Sequence, residues 1–188
     1  MSYFLRVFCQ DSKLLKTDEI IDFINQGYFF EQLPDFKIKN TIANAEEINW
    51  ETITVLYDSV KRPVRIERII NTELIQQDVL QIINHLKGSN FNPQPDLIYK
   101  LATSIYKLAT SKQVIVLEVD PVGLTDAGWE MLDCLQSYLA KNLSGLIYAP
   151  DQGFFDSNLK LFYDIILPTN QTNQNMTSLP ETGFLKLS

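Results

Sequence analysis

The sequence predicts a single domain of the α+β (or α/β) class, in which one mixed β-sheet is covered by about four helices in a sandwich. Two patterns carry this prediction. The first is a strand, a helix and a second strand within residues 113–156. The second is a pair of alternating strands within residues 48–70, which is typical of a β-hairpin.

The N-terminal part of the chain predicts a strand followed by a helix. Residues 3–10 are rich in aromatic and branched side chains, which favours a strand. Residues 16–19 combine a capping position with two acids, and Gly27 is a suitable helix end. A short strand at residues 36–39 is the only further element predicted before the hairpin.

Residues 48–57 and 64–70 form the clearest pair of strands. Ile53 and Val55 share one face of the first strand, and the second strand alternates in the same way. Turn-forming residues lie at both ends of the connecting residues 58–63. We therefore predict an antiparallel β-hairpin here.

Two helices are predicted after the hairpin. Thr72 is positioned to cap the first, over residues 73–86, whose aliphatic side chains recur at helical spacing, and Gly88 ends it. Asp96 is positioned to cap the second, over residues 97–108.

The strand, helix and strand of residues 113–156 predict a βαβ unit. The apolar run at residues 114–119 is typical of a strand buried on both faces. Thr125 and Asp126 supply oxygen atoms that cap a helix, and residues 146–149 form a second short strand. Because a helical crossover joins parallel strands, we expect both strands to lie in one sheet and to point the same way. Trp129 falls on the helix face that would meet this sheet.

The C-terminal part predicts one more strand and a tail. The strand lies within residues 159–167, whereas residues 168–188 are rich in Asn, Gln and Thr and resemble a linker. We therefore predict one globular domain over residues 1–167 and a polar tail over residues 168–188. Residues 179–183 spell the Leu-Pro-Glu-Thr-Gly signal read by sortase transpeptidases. The membrane-spanning run and basic tail that accompany that signal do not follow, so we interpret the match as coincidence.

The charge of the chain limits its partners. The sequence has 16 Lys and Arg against 23 Asp and Glu, a net charge of −7. Nucleic acids and anionic membranes are polyanions, so this charge opposes binding to either. No apolar run is long enough to predict a membrane span. The charge favours a basic protein partner, although an acidic composition also serves solubility alone.

Cysteine and histidine usage predicts neither a metal centre nor a cofactor. Cys9 and Cys134 are the only cysteines, and we expect both to be small buried side chains without a zinc-site spacing. His85, the only histidine, falls in the last turn of a predicted helix, where a structural role is favoured over catalysis. The first residues do not resemble an export signal, so we expect a cytoplasmic protein.

Four aspartates are candidates for a ligand or metal site: Asp120, Asp126, Asp151 and Asp156. If the strands at residues 114–119 and 146–149 are parallel, their C-terminal ends meet at one sheet edge, where open α/β sheets bind ligands. Clustered carboxylates there would recruit a divalent cation such as Mg²⁺. The alternative is that the four residues only form turns and a helix start.

A second candidate is an interaction surface near the hairpin and after the βαβ unit. Arg62, Arg65 and Arg68 crowd the hairpin, where they would bind a phosphate or an acidic partner, or else form a solvated edge. Phe154 and Phe155 are adjacent in an extended segment, so their rings point to opposite sides. One ring is therefore a candidate for exposure and contact with a partner.

These observations leave two functional hypotheses. The first is a non-catalytic cytoplasmic interaction or regulatory module that binds a protein partner or a second copy of itself. An acidic protein that neutralises a basic partner, as toxin-immunity proteins do, is one form of it. The second is a ligand-binding or divalent-cation-dependent enzyme domain that uses the four aspartates. The sequence favours the first, because it contains no motif in which a reaction could be placed.

Overall fold

The computed structural model describes residues 2–44, 47–88, 95–150 and 152–164, which contain four helices and eight strands. The helices are α1 (Thr17–Gln26), α2 (Thr72–Gly88), α3 (Pro95–Ala109) and α4 (Asp126–Asn142). The strands are β1 (Tyr3–Cys9), β2 (Asp35–Asn44), β3 (Glu47–Leu56), β4 (Val64–Ile69), β5 (Gln113–Val119), β6 (Gly145–Ala149), β7 (Gly153–Phe155) and β8 (Leu161–Asp164). The α+β class with four helices is confirmed.

The eight strands form one sheet in the order β2-β3-β4-β5-β1-β6-β7-β8. All seven pairings in this part of the chain are antiparallel, so the sheet is antiparallel rather than mixed. β5 and β6 point the same way, as expected, because both are antiparallel to β1. They are not neighbours, however, because β1 is inserted between them.

β1 contributes to two separate cores, one on each face of the sheet. Leu5, Val7 and Cys9 pack on the face that α1 and α4 cover, and Phe8 packs on the face that α2 and α3 cover. This alternation follows from the two-residue period of a strand. The result is a sheet between two helical layers, with each layer burying its own apolar face.

Specific side-chain contacts hold the layers in place. Phe23 of α1 stacks on Tyr138 of α4, with 4.2 Å between ring centroids. On the other face, Arg6 Nε of β1 donates a hydrogen bond of 2.7 Å to the Asp78 carboxylate of α2. α1 is thereby joined to α4, and α2 to the central strand.

The predicted β-hairpin is confirmed as β3 and β4. Ile53 pairs with Ile66 and Val55 with Val64, and all four side chains are buried. The sequence predicted only a short strand before this hairpin, whereas β2 is ten residues long and pairs along β3. The polar side chains of β2 obscured it, because an edge strand has fewer buried positions.

α4 begins and packs largely as its sequence predicts. The Thr125 Oγ1 atom accepts a hydrogen bond of 3.1 Å from Gly128 N, which satisfies a free amide of the first turn. Trp129 packs against the core but is only half-buried. Cys134 is exposed, so the expectation that both cysteines are buried is wrong for this residue. It lies outside the stripe of α4 that meets the sheet.

Some predictions concern residues that the structure does not describe. The tail at residues 168–188, its sorting-signal match and the His85 side chain cannot be compared with the structure. Among the residues that the structure does describe, no helix is both long enough and apolar enough to cross a membrane.

We predict that Gly145→Ala lowers the free energy of unfolding by about 1–3 kcal/mol, because added volume in a packed site forces strain. A Cβ atom at Gly145 would lie 2.7 Å from Val7 Cγ1 and 3.0 Å from the Ala140 backbone. Urea denaturation measures the change. Gly123→Ala is the control, since the nearest atoms to its Cβ all belong to the side chain of Asp120, with the carboxylate at 3.1 Å. Equal losses in the two variants would contradict this account.

Candidate functional site

The sheet edge predicted to hold the aspartates is divided by a strand. β5 and β6 both end there, at Val119 and Ala149. β1 lies between them and separates them by about 10 Å, twice the spacing of paired strands. The Tyr3 hydroxyl donates a hydrogen bond of 2.8 Å to Pro150 O. β1 therefore fills the position that a ligand would take between adjacent parallel strands.

Asp156 lies at the opposite end of the sheet from Asp120. β7 runs back from the divided edge, and Phe155 at its end pairs with Ile147. Across the register of β1, Asp156 and Asp120 differ by about six residues, or about 20 Å at 3.3 Å per residue. The structure therefore places Asp156 apart from Asp120, because β7 is a return strand that the sequence did not predict.

Asp156 has a structural role instead. Its Oδ1 atom accepts hydrogen bonds from Asn158 N at 2.8 Å and Lys160 N at 3.0 Å. Its own amide donates to Lys160 O at 3.0 Å. These bonds close the loop of residues 156–160, which we call the β7–β8 loop.

Asp120 and Asp126 flank the loop that leads into α4. The Asp120 carbonyl oxygen accepts hydrogen bonds from the amides of Gly123 and Leu124, as turn-forming residues do. The pKa of the neighbouring Tyr57 is raised, first by burial and then by the charges of Asp58 and Asp120. Asp126 is exposed in the first turn of α4, where a carboxylate suits the helix dipole.

The three described aspartates, Asp120, Asp126 and Asp156, are thus not brought together as a ligand set. Asp151 lies outside the described residues. Within the described ranges, no three acidic, histidine or cysteine side chains are grouped closely enough to hold a metal ion. The geometry therefore gives the hypothesis of a divalent-cation enzyme no support.

Arg62 and Arg65 do not present free positive charge on one surface. Arg65 lies beside two carboxylates, 3.3 Å from Glu67 and 3.8 Å from Glu118. Both neighbours lie on the same face of the sheet as Arg65, because Glu67 is two residues further along β4 and Glu118 is the direct partner of Arg65 on β5. Arg62 is exposed in the turn between β3 and β4.

Arg68 points to the other face of β4 and joins a buried network. Its Nε atom donates a hydrogen bond of 2.7 Å to the Gln113 side chain, which is 1% exposed. The same glutamine donates to the backbone oxygens of Asp11 and Lys13. Burial lowers the pKa of the Arg68 guanidinium. Arg65 and Arg68 therefore lie on opposite faces of the sheet and do not form one basic surface. Through Gln113, Arg68 anchors the loop after β1.

Phe154 and Phe155 point to opposite faces, and neither forms an exposed patch. Phe154 is fully buried between Tyr148 and Tyr163, with centroid distances of 5.1 and 6.3 Å. Its ring belongs to the core on the α2 and α3 face of the sheet, so it is not the exposed one of the pair. Phe155 is half-buried and lines a cleft on the other face.

This cleft has a volume of about 370 Å³ and lies between α4 and the strands β1, β6 and β7. We call it the α4–β7 cleft. Its lining residues are Tyr3, Leu5, Trp129, Asp133, Gln136, Ile147, Ala149, Gln152, Phe155 and Leu159. The β7–β8 loop borders it, and Ser137 Oγ of α4 holds that loop by donating a hydrogen bond of 2.6 Å to Ser157 O.

Two polar side chains of α4 face an otherwise largely apolar cleft. Gln136 is 3% exposed, and its one hydrogen bond among the described residues is a long one, 3.4 Å from Nε2 to Leu132 O. Its amide oxygen therefore accepts no hydrogen bond from the described chain. Asp133 lies one turn earlier, and partial burial raises the pKa of its carboxyl group. A cleft that combines an acceptor oxygen without a partner among the described residues and a carboxyl group with a raised pKa is a candidate binding site.

A second feature is the charge of the helical layer that contains α4. We call its six carboxylates the acidic face: Asp18, Glu19, Asp22, Asp126, Glu130 and Asp133. All six are exposed, and Lys141 is the only basic residue within α1 and α4. The sequences of α2 and α3, by contrast, contain three carboxylates and three lysines.

Sequence reasoning missed both the cleft and the acidic face. Trp129, Asp133 and Gln136 recur at helical spacing, i, i+4 and i+7, which was the available signal for the cleft. It was missed because the cleft also needs β7, whose position is set by a pairing distant in sequence. The acidic face required knowing that α1 and α4 are neighbours.

Comparisons with known proteins identify no relative. The chain matches no protein-family model, and it has no significant similarity to a curated protein or to a solved structure. The geometry and charge of this chain are therefore the basis on which a function can be proposed.

We predict that Asp156→Ala lowers the free energy of unfolding by about 1–2 kcal/mol, since two hydrogen bonds of the β7–β8 loop are lost. Asp156→Asn, which keeps an acceptor oxygen, is the matched control and should lose less. Thermal and urea denaturation measure both. If millimolar Mg²⁺ raised the melting temperature of the wild type but not of Asp156→Asn, Asp156 would instead be a metal ligand.

We predict that Asp133→Asn raises the free energy of unfolding, relative to the wild type, by more at pH 8 than at pH 4. Because the folded-state pKa of Asp133 is raised above its ordinary value of 3.8, the folded protein binds more protons than the unfolded chain between the two values. Wild-type stability therefore falls as pH rises through this window, and asparagine removes that loss.

The difference in unfolding free energy between variant and wild type, from urea denaturation, tests this. Asp126→Asn is the control, and the opposite sign is expected because it removes a favourable charge from the N-terminus of α4. A difference for Asp133→Asn that does not change with pH would contradict the prediction.

Proposed function

We propose that this chain is a non-catalytic cytoplasmic interaction module, and that its acidic face binds a basic surface on a protein partner. The observation that carries the proposal is the separation of charge between the two helical layers. Six exposed carboxylates and one lysine belong to α1 and α4, whereas α2 and α3 have equal numbers of each sign.

The first-turn carboxylates of this face suit the N-termini of α1 and α4, but the spacing of the six also places like charges next to each other. Asp18 and Asp22 are one turn apart on α1, and Asp126 and Glu130 are one turn apart on α4. Like charges at this spacing destabilise a helix by about 0.2–0.5 kcal/mol per pair. A surface that is retained against such a cost is suited to a function elsewhere, such as steering an oppositely charged partner.

The rigidity of the layer also supports binding by a surface. The stacked rings of Phe23 and Tyr138 join α1 to α4, and both helices pack on one core. The carboxylates are therefore presented at fixed relative positions, so that complementary charges on a partner meet them without reordering of the backbone. An acidic protein that neutralises a basic toxin would use a surface of this kind.

We predict that Glu130→Lys weakens binding to an eight-residue arginine peptide about tenfold, whereas Glu73→Lys leaves it within about twofold. Both substitutions change the net charge equally, but Glu130 lies on the acidic face and Glu73 lies at the start of α2. Fluorescence anisotropy with a labelled peptide measures the affinity.

Binding should weaken as salt is raised, because exposed charges are screened. Equal effects of the two substitutions would show that only net charge matters, and the proposed surface would then be wrong. Absence of binding at low salt would overturn the proposal itself.

A further inference from the structure

The α4–β7 cleft combines aromatic surface with acceptor oxygens, and it has no basic residue in its lining. Trp129 and Phe155 contribute half-buried rings, and Asp133 and Gln136 contribute oxygen atoms from α4. Aromatic faces and carboxylates both attract cations. The chemistry of the cleft therefore suits a single organic cation.

The size and position of the cleft relate it to the acidic face. Its volume of about 370 Å³ lies at the lower end of the range of small-molecule sites, roughly 300–1,000 Å³. A single amino-acid side chain is smaller than such a ligand and would fit in it. Asp133 belongs to both features, since it lines the cleft and is one of the six exposed carboxylates. A partner attracted to the acidic face would thus have the cleft within reach.

We propose that the α4–β7 cleft receives one arginine side chain of the basic partner, with its guanidinium held by the Asp133 carboxylate and the Gln136 amide oxygen beside the Trp129 ring. The inference rests on the proposed function, because the arginine belongs to the partner that the acidic face attracts. It goes further by naming the residue that anchors that partner.

Arginine fits this site better than lysine for a geometric reason. A guanidinium group is planar, carries five N–H donors and stacks on aromatic rings, whereas an ammonium group is a compact and strongly hydrated point charge. A carboxylate can accept two parallel N–H bonds from one guanidinium. A third donor would then bond the oxygen of Gln136, a residue that lines the cleft and whose only hydrogen bond among the described residues is made by its Nε2 atom.

The state of Asp133 in the free protein is consistent with this role. Partial burial raises the pKa of its carboxyl group, because the charged form has lost part of its hydration. A guanidinium would replace the lost water with charge-assisted hydrogen bonds. The free energy of folding that desolvation of this carboxylate costs would be offset by the binding of a ligand that pairs with its charge.

The test uses N-acetyl-arginine methylamide as probe and the tryptophan indole N–H signals as readout in NMR. The chain has two tryptophans, and Trp129→Phe assigns their signals. Trp50 serves as an internal control because it is buried and donates to Leu15 O. The expected result is a saturable shift of the Trp129 signal alone, with a dissociation constant of about 1–10 mM for so small a ligand.

The variants separate the cleft from general electrostatics. Asp133→Asn should weaken probe binding at least about tenfold, because a charge-assisted bond becomes neutral. Gln136→Met should weaken it severalfold while it retains volume. Glu130→Gln, which removes an equal charge outside the cleft, should leave it within about twofold.

Three results would overturn the inference: no saturable shift of Trp129, equal binding of the neutral citrulline analogue, or equal effects of Asp133→Asn and Glu130→Gln. Equal binding of the lysine analogue would overturn the choice of arginine. If the arginine peptide still bound the acidic face while the probe failed, only the cleft would be wrong. If neither bound, the proposed function would fail with it.

Discussion

The structure depends on the pairing of β1 with both β5 and β6. This strand hydrogen-bonds on both sides and contributes side chains to both cores. Its insertion converts what would be a parallel crossover into an antiparallel sheet, since β5 and β6 each pair with β1 instead of with each other. It also fills the gap between their C-terminal ends with Tyr3. The ligand crevice of open α/β sheets is therefore closed in this fold.

The same arrangement opens a different cavity. α4 packs over β1 and β6, and the β7–β8 loop borders the next part of this face. Ser137 ties that loop to α4, and Asp156 closes the loop on itself by a hydrogen bond from Lys160 N. The residues proposed to bind a partner thus lie on the flank of α4 and not at the strand ends, with Asp133 and Gln136 at the boundary between the core and solvent.

Charge and burial act together on α4. One side of this helix is buried on the sheet, and another carries carboxylates that repel each other. Asp133 lies between the two, exposed enough to belong to the acidic face and enclosed enough for its pKa to rise. In the proposed complex, attraction by the acidic face would set the rate of encounter, and hydrogen bonds in the cleft would set the lifetime of the complex.

The sequence by itself determined the local elements: the four helices, the hairpin of β3 and β4, and the buried strand β5 all follow from periodicity and capping, which act over a few residues. Only the tertiary structure decided which elements are neighbours. Asp156 lies far from Asp120 because β7 runs antiparallel to β6. Phe154 is part of the core because both faces of the sheet are covered. Cys134 lies on the solvent side of α4. The acidic face and the cleft likewise required contacts between α1, α4 and β7, which local sequence patterns do not encode.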